Sequence, residues 1–504
     1  MQSFDYVIVG AGSAGSVLAA RLSENSQNRV LLIEAGAAEG PELVAVPPAW
    51  PALIGSTADW GFATVPQNGN DGVVHPYPRG KVFGGSSSIN AMAFMRGHAS
   101  GYDAWARNGA DGWGYDDLLP FFKRSERAPG RDSGYRGTEG PMVVSPATDG
   151  HPLAVAYLDA ALEAGHHLSA DLSGKEQEGV AWLDTNIVDG VRQSAADGYL
   201  RPVLGRPNLT VIPDVMVRRL TLSAGRCTGV EYSVDGQLRS ATADREVILS
   251  AGAGAVGSPH LLMLSGIGPA EHLREFGIDV VADLPGVGAN LQDHPLAGIT
   301  YAATKPVPPT VNQHSDLVAM VRSRPDLPAP DIQLLFLDIA YHPPGLAGPA
   351  NGYTIGFSLM LPYSRGSVRL AGSEPTTAPR IDPNFLGDER DLARMVTALR
   401  MAREVGEAQA LAGWRVQEAL PGAAVQDEAE LEAYVRQVTG PYFHASGTCR
   451  IGTDPMAVVD ADLRVHGVDA LRVVDASVMP EIVGANPNAT VLAIAERASA
   501  LIDR

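Results

Sequence analysis

Two polar residues near the carboxyl-terminal end of the chain are candidates for proton chemistry. Residues 442–450 read YFHASGTCR, so His444 follows two aromatic residues and precedes four small ones. A histidine packed into a tight turn is one interpretation, and a proton acceptor beside a cofactor is the other. Histidine suits the second role because its ordinary pKa of about 6.5 leaves it largely neutral at cellular pH. Asn486 lies in an Asn-Pro-Asn run that also signals a turn.

The amino-terminal region carries a dinucleotide-binding pattern. The apolar run Tyr6–Val9 leads into Gly10, Gly12 and Gly15, and helical spacing and a second apolar run ending at Glu34 follow. The first two glycines permit a sharp turn and close backbone approach to a pyrophosphate, and the third permits helix–strand packing. An acid at the second strand end accepts hydrogen bonds from ribose hydroxyls and disfavours a 2′-phosphate, which argues against NADP. These residues alone leave FAD and NAD open.

Further apolar runs predict strands of the same sheet in distant parts of the chain. Residues 246–249 (EVIL) and 471–474 (LRVV) read as buried strands, and apolar residues from Val491 to Ile502 recur at helical spacing. Strands near the start, middle and end of the chain therefore indicate a doubly wound sheet. Residues 300–350 are proline-rich and predict loops between strands, whereas residues 388–410 have helical spacing.

Composition narrows the class of protein. The chain has 504 residues, 45% hydrophobic and 19% charged, with a net charge of -19. This size predicts two domains, and the negative charge argues against nucleic-acid binding. Cys227 and Cys449 give neither a disulfide framework nor a metal-binding spacing. We expect a cytoplasmic protein with no metal, signal peptide or membrane span.

Four longer stretches carry a family resemblance. Residues 78–105 (PRGKVFGGSSSINAMAFMRGHASGYDAW) and 254–269 (GAVGSPHLLMLSGIGP) resemble the two signatures of the glucose–methanol–choline (GMC) flavin oxidoreductases. Residues 443–452 (FHASGTCRIG) and 473–490 (VVDASVMPEIVGANPNAT) are similar to the carboxy-terminal motifs of that family. The style of the motifs is closest to bacterial choline-dehydrogenase-like alcohol dehydrogenases and oxidases.

The resemblance implies an α/β fold with a doubly wound, Rossmann-like FAD-binding domain. A discontinuous substrate-binding domain, with an antiparallel sheet and helices, would form the roof of the site. We assign the FAD-binding domain to residues 1–149, 194–296 and 441–504. We assign the substrate domain to residues 150–193 and 297–440.

The resemblance also implies which residues hold FAD and which react. His444 and Asn486 fall on the catalytic pair of the family, with the histidine as base and the asparagine as hydrogen-bond donor to the substrate oxygen. The flavin-binding residues implied by the fingerprint and the motifs are Gly10, Gly12, Ser13, Ala14, Gly15, Glu34, Ala35, Gly80, Val82, Gly84, Gly85, Ser86, Asn90, Ala91, Met92, Ala93, Val217, Ala251, Gly252, Asp475, Ala476, Asn486, Pro487 and Asn488. Some members attach the flavin covalently through a histidine where this chain has Ile89, so we expect noncovalent FAD.

Substrate and acceptor stay less defined. The resemblance favours oxidation of a primary alcohol (aryl, furanic or aliphatic) to the aldehyde by hydride transfer to flavin N5, with oxygen or an external acceptor. A choline-type or other polar alcohol is one alternative, and an FAD-containing hydroxynitrile lyase without redox turnover is another. Tyr442 and Phe443 either shape the substrate pocket or only pack. His294, in NLQDHP, is expected to hold the junction between the domains.

Overall fold

A computed structural model of the chain describes residues 2–147, 150–234, 236–251, 255–343 and 346–502. Its first sheet has seven strands, and the predicted doubly wound α/β fold is confirmed. Four strand pairs in this sheet are parallel, and two pairs at one side are antiparallel. In spatial order the strands are Leu209–Ile212, Val30–Ile33, Gln2–Val9, Gln237–Leu249, Arg226–Val234 and Met216–Ser223, with Leu471–Val473 also paired to Gln237–Leu249.

The central strands of this sheet are apolar because both of their faces are buried. Every side chain from Tyr6 to Val9 and from Val30 to Ile33 is at most 5% exposed. The nine α-helices of the described residues are Ser13–Leu22, Ala99–Arg107, Tyr115–Ser125, Pro152–Glu163, Gly257–Leu264, Ala270–Glu275, Glu389–Glu407, Glu428–Val438 and Asn488–Ile502. None of these helices is long and apolar enough to cross a membrane.

A second sheet of seven strands is antiparallel throughout. Helices including Pro152–Glu163 and Glu389–Glu407 pack on it through a separate apolar core. In spatial order its strands are Arg415–Leu420, Pro295–Ala303, Gly352–Leu359, Ile332–Leu337, Leu317–Val321 and Gly179–Trp182, with Gly440–Pro441 also paired to Pro295–Ala303.

The strands of the two sheets largely follow the predicted division of the chain into domains. Every strand of the first sheet lies in a segment assigned to the FAD-binding domain. The second sheet draws on both substrate-domain segments, but its short strand Gly440–Pro441 crosses the boundary at 440/441, and its strand Pro295–Ala303 runs across the boundary at 296/297. Because that strand is continuous, the chain passes from one predicted domain to the other without a linker at this point. The domain division itself stays a prediction.

A buried ionic cluster connects residues 126–136 with residues 171–184. Glu126 accepts hydrogen bonds from Arg96 Nη2 at 2.6 Å and from Arg136 Nε at 2.7 Å, and all three side chains are fully buried. Arg136 Nη1 also donates to Asp171 and Asp184 at 2.7 Å each. Buried charges paired in this way are costly to separate, so the cluster fixes the position of residues 126–136 against residues 171–184.

Candidate active site

The backbone of His444 is held rigidly from both sides. Phe443 has a φ of 66°, in the left-handed region, and its carbonyl accepts a hydrogen bond from Arg79 Nη1 at 2.8 Å. The His444 N–H donates to Asp293 Oδ1 at 2.7 Å. The other oxygen of Asp293 accepts from the hydroxyl of Tyr77 at 2.7 Å. These bonds stabilise an unfavourable turn that points the imidazole in one direction.

The structure brings the two predicted catalytic residues together. Asn486 Nδ2 lies 3.3 Å from His444 Nε2. Gln333 Nε2 donates to Asn486 Oδ1 at 3.4 Å, and this contact turns the amide N–H₂ of Asn486 toward the imidazole. Burial, together with the neighbouring His294 and Arg79, lowers the pKa of His444 well below its usual range. The pair therefore presents a neutral base and a neutral hydrogen-bond donor side by side.

Two contacts of this pair were missed from the sequence. His294, expected only to join the domains, is fully buried and its Nδ1 lies 2.8 Å from Nδ1 of His444. Its Nε2 lies 3.2 Å from the carbonyl oxygen of Met360. Gln333 was not singled out at all, because it sits on the strand Ile332–Leu337 with no motif around it. The NLQDHP stretch was a usable signal for His294, whereas Gln333 offered none.

An apolar cluster adjoins the pair. Tyr442 belongs to it, lies with its ring centroid 4.1 Å from that of His444, and donates its hydroxyl to Gln333 Oε1 at 2.7 Å. Gln333 also approaches two methionine sulfurs of the cluster, at 3.3 and 3.7 Å. The members are Met95, Leu172, Ala181, Leu183, Val318, Met320, Leu335, Met360 and Ala485, with Ala93, Leu296 and Tyr442 at its edge. Tyr442 therefore borders an apolar region beside His444, whereas Phe443 contributes its backbone turn.

The glycine-rich turn has the close packing that its sequence demands. A Cβ on Gly15 would lie 1.8 Å from the carbonyl oxygen of Gly10, so only glycine lets the helix Ser13–Leu22 begin there. Glu34 is 2% exposed and accepts backbone hydrogen bonds from Ala11 and Gly36, at 2.7 Å each. Burial raises the pKa of Glu34 to about 7. Because each carboxylate oxygen keeps a second lone pair, Glu34 can still accept a ribose hydroxyl.

The start of the last helix completes this turn. Ser13 Oγ donates to Asn488 Oδ1 at 2.8 Å, so the helices Ser13–Leu22 and Asn488–Ile502 begin beside each other. Asn488 Nδ2 is buried and has no hydrogen-bond partner among the described residues. Two helix amino termini and an unpaired buried donor suit an anionic ligand, so these residues fit the pyrophosphate of a dinucleotide.

The stretch from Gly80 to Ala93 lies against the same turn. The Gly84 N–H donates to the carbonyl of Ala11 at 2.8 Å, and a Cβ on Gly85 would lie 2.8 Å from Cα of Gly12. Ser86 Oγ accepts from the N–H of Gly80 at 3.1 Å. These contacts place the second predicted flavin-binding stretch next to the first. The remaining members of the stretch that we predicted are Val82, Asn90, Ala91, Met92 and Ala93.

Other predicted cofactor residues are distributed around this centre. Val217 lies on the strand Met216–Ser223, which begins just after Val215 donates to the carbonyl of Glu34 at 2.8 Å. Ala251 follows the strand Gln237–Leu249, and Gly252 lies outside the described residues. The Ala476 carbonyl accepts from the N–H of Gly447, which brings the predicted residues Asp475 and Ala476 next to the His444 segment. The predicted residues Ala14, Ala35 and Pro487 adjoin Gly15, Glu34 and Asn486 in sequence.

Asp475 uses its carboxylate within the protein. Its Oδ2 accepts from Ser258 Oγ at 2.6 Å, and its Oδ1 accepts from the N–H and the hydroxyl of Ser477. Asp475 thereby caps the short helix Ala476–Val478. A role beside the ribityl chain would therefore fall to the backbone of this segment or to lone pairs that these bonds leave.

Comparison with known proteins gives one family. Residues 4–296 and 362–495 match the amino- and carboxy-terminal parts of the GMC oxidoreductases. The chain is 41% identical to mitochondrial choline dehydrogenase of Mus musculus, over 99% of this chain and 89% of that protein. It is 40% identical to oxygen-dependent choline dehydrogenase of Brucella suis biovar 1 (strain 1330), over 98% and 94%. The crystal structure of pyridoxine 4-oxidase from Mesorbium loti superposes with a TM-score of 0.96 at 41% identity, covering 99% of this chain and 98% of that one.

Proposed function

This chain belongs to the GMC oxidoreductases, FAD-dependent enzymes acting on CH–OH donors, and from that premise we propose that it oxidises neutral primary alcohols to aldehydes. The aryl, furanic and aliphatic alcohols are the candidate substrates. The observation that carries the proposal is the 3.3 Å approach of Asn486 Nδ2 to His444 Nε2 beside the apolar cluster. The relatives support the reaction class, and the side chains around the pair support the proposed substrate class.

His444 is the proposed general base. Its Nε2 takes the proton of the substrate hydroxyl while the carbon loses its hydride. Asn486 Nδ2 donates a hydrogen bond to the same oxygen as negative charge develops on it. FAD, when bound, supplies the hydride acceptor at N5. An amide suits the second position because it stabilises the oxygen without competing for the proton.

The chemistry around the pair supports a neutral substrate. A quaternary ammonium ligand is best held by an aromatic cage and a carboxylate. Among the described residues, the apolar cluster beside the pair contains one phenol ring, that of Tyr442, and the polar group that reaches into the cluster is the uncharged amide of Gln333. Asp171 and Asp184, which neighbour cluster members in sequence, are both bound to Arg136. Pyridoxine, the substrate in the name of one relative, is likewise an aromatic ring with hydroxymethyl groups.

Choline remains the second candidate substrate, because the curated relatives reported above are choline dehydrogenases. The two candidates are separated by mixing the flavin-loaded protein anaerobically with benzyl alcohol, hydroxymethylfurfural, 1-hexanol and choline. We expect the visible flavin absorption to bleach faster with the neutral alcohols than with choline. Faster bleaching with choline would overturn the substrate class. No bleaching with any alcohol would overturn the reaction, and cyanide release from a hydroxynitrile would then indicate a lyase.

The assigned base has a direct test. His444→Ala should slow flavin reduction by at least ~10²-fold while the protein keeps its yellow colour. His167→Ala is the matched control, because the His167 side chain is 53% exposed and its ion pair with Glu176 lies on the surface. Reduction of the His444→Ala protein at the wild-type rate would reject the assignment.

We also propose that the FAD is bound noncovalently. Ile89 is 7% exposed and packs with Leu53, Ala58 and Val82, so no nucleophilic nitrogen stands at the position of the attached histidine. Oxygen and an external dye or quinone are the two candidate acceptors, and oxygen uptake compared with dye-linked turnover distinguishes them. A cytoplasmic location, expected from the sequence, stays a prediction.

A further inference from the structure

We infer that His294 is a positioning residue, which holds His444 in the tautomer with its proton on Nδ1 and so keeps Nε2 free to accept the substrate proton. The inference rests on the proposed role of His444. It assigns to His294 a function that the sequence motif did not indicate, since that residue had been expected only to join the domains.

The first step concerns the proton of His294 itself. Its Nε2 lies 3.2 Å from the carbonyl oxygen of Met360. A carbonyl oxygen can only accept, so Nε2 of His294 must carry the hydrogen. A neutral imidazole carries one hydrogen, which leaves Nδ1 of His294 as an acceptor. His294 is fully buried, and burial lowers its pKa to about 3, so the neutral form predominates at neutral pH.

The second step passes this constraint to His444. The two Nδ1 atoms lie 2.8 Å apart, and a contact this short between two bare nitrogens would be repulsive. Because His294 can only accept there, His444 must donate from its own Nδ1. Its second nitrogen, Nε2, then carries a lone pair, which accepts a hydrogen bond from Asn486 Nδ2 at 3.3 Å. A substrate hydroxyl placed between the two groups would take over both contacts, donating its proton to Nε2 and accepting from Asn486. The Met360 carbonyl thus fixes the protonation of both rings in sequence.

The opposite tautomer would be unproductive. A hydrogen on Nε2 of His444 would face the N–H₂ group of Asn486, so that two donors would meet, and no lone pair would remain for the substrate hydroxyl. In the serine-protease triad, losing the group that holds the catalytic histidine in its correct tautomer lowers kcat by about 10⁴-fold. We therefore expect the effect of removing the acceptor at His294 to approach that of removing His444.

Two substitutions of His294 test whether its hydrogen-bond acceptor at Nδ1 matters, or only the volume of its ring. Asn at position 294 can place its amide oxygen close to where Nδ1 lies, and so it can still accept from His444. Gln at the same position can place its amide N–H₂ near Met360, but it offers no acceptor at the Nδ1 position. His294→Gln should slow anaerobic flavin reduction by at least ~10²-fold, whereas His294→Asn should stay within about tenfold of wild type.

The tautomer can be read without turnover. Protein labelled with ¹⁵N-histidine, with the His444 signals identified by their loss in His444→Ala, should show a protonated Nδ1 and an unprotonated Nε2. His294→Gln should move the proton toward Nε2, and His294→Asn should not. Flavin content and circular dichroism establish that each variant is folded. If the Gln variant does not fold, the wild-type and Asn spectra still decide the question.

The outcomes distinguish the inference from the proposed function. A wild-type spectrum with the proton on Nε2 of His444 would overturn the inference, as would wild-type reduction by a folded His294→Gln protein. Wild-type reduction by His444→Ala, combined with the expected tautomer in the spectrum, would instead overturn the role of His444 as base.

Discussion

Placing a carboxylate at position 486 should convert the base into its protonated form. Asn486→Asp keeps the size of the side chain but brings a negative charge to about the present 3.3 Å separation from His444 Nε2. At an effective dielectric constant of about 20, two unit charges at this distance attract by roughly 5 kcal/mol, or about 3–4 pKa units. The carboxylate favours the imidazolium, so the pKa of His444 should rise. At neutral pH a larger fraction of His444 should then carry a proton than in the wild type.

The assay is the pH dependence of anaerobic flavin reduction. The Asp variant should be slow at neutral pH and should accelerate as the pH rises, because the neutral imidazole returns only above its raised pKa. Asn486→Ala is the comparison. It removes the donor to the substrate oxygen and should slow flavin reduction by about 10²–10³-fold. Because it adds no charge, the pKa of His444 and the acid limb of the pH profile should stay at low pH. An Asp variant with the pH profile of wild type would show that position 486 does not border the base, and the proposed pair would be refuted.

Three further results are expected. Wild-type flavin reduction should be independent of pH through about 6.5, because burial lowers the pKa of His444 and the base stays neutral into more acidic solution; an acid limb above that value would contradict this. Glu126→Gln should lower the free energy of unfolding in urea by about 3–5 kcal/mol, since it leaves buried arginine charges uncompensated. Arg450→Ala, at a surface ion pair, should lower the free energy of unfolding by less than ~1 kcal/mol. If the two substitutions lowered it equally, the buried cluster would contribute no more to stability than the surface pair. Gln333→Glu should raise the ratio of kcat/KM for choline to that for benzyl alcohol, because a carboxylate attracts the choline cation. An unchanged ratio would show that Gln333 does not contact the substrate.

The sequence predicted those elements whose physical signal is local. The run Tyr6–Val9 is apolar because both faces of its strand are covered, and the glycine turn after it follows from backbone sterics. The length of the strand ending at Leu249 was underestimated, because the prediction began at residue 246 and the structure begins the strand at Gln237. The added residues are largely polar and pair antiparallel with Arg226–Val234, where one side of the ribbon is exposed, so they carry no buried-strand pattern.

The contacts of the candidate site were less accessible from sequence. His294 and His444 are separated by 150 positions, and Gln333 and Asn486 by 153. Such contacts depend on how the second sheet rests against the first, and no periodicity within a strand reports that arrangement. Motifs could name His444 and Asn486 because their neighbours in sequence form distinctive stretches. Gln333 has ordinary strand neighbours, so only the three-dimensional arrangement connects it with the pair.

The hydrogen bond between Ser13 and Asn488 joins positions 475 apart, and it closes the turn at which the two helices begin. During synthesis the first strand and helix leave the ribosome long before the segment that carries Asn486 and Asn488. A nascent chain can therefore fold its early elements but cannot complete the proposed FAD-binding turn until translation has passed that segment. Loading of the flavin thus becomes a late event in biogenesis, and cells short of riboflavin should accumulate chains that are finished but colourless.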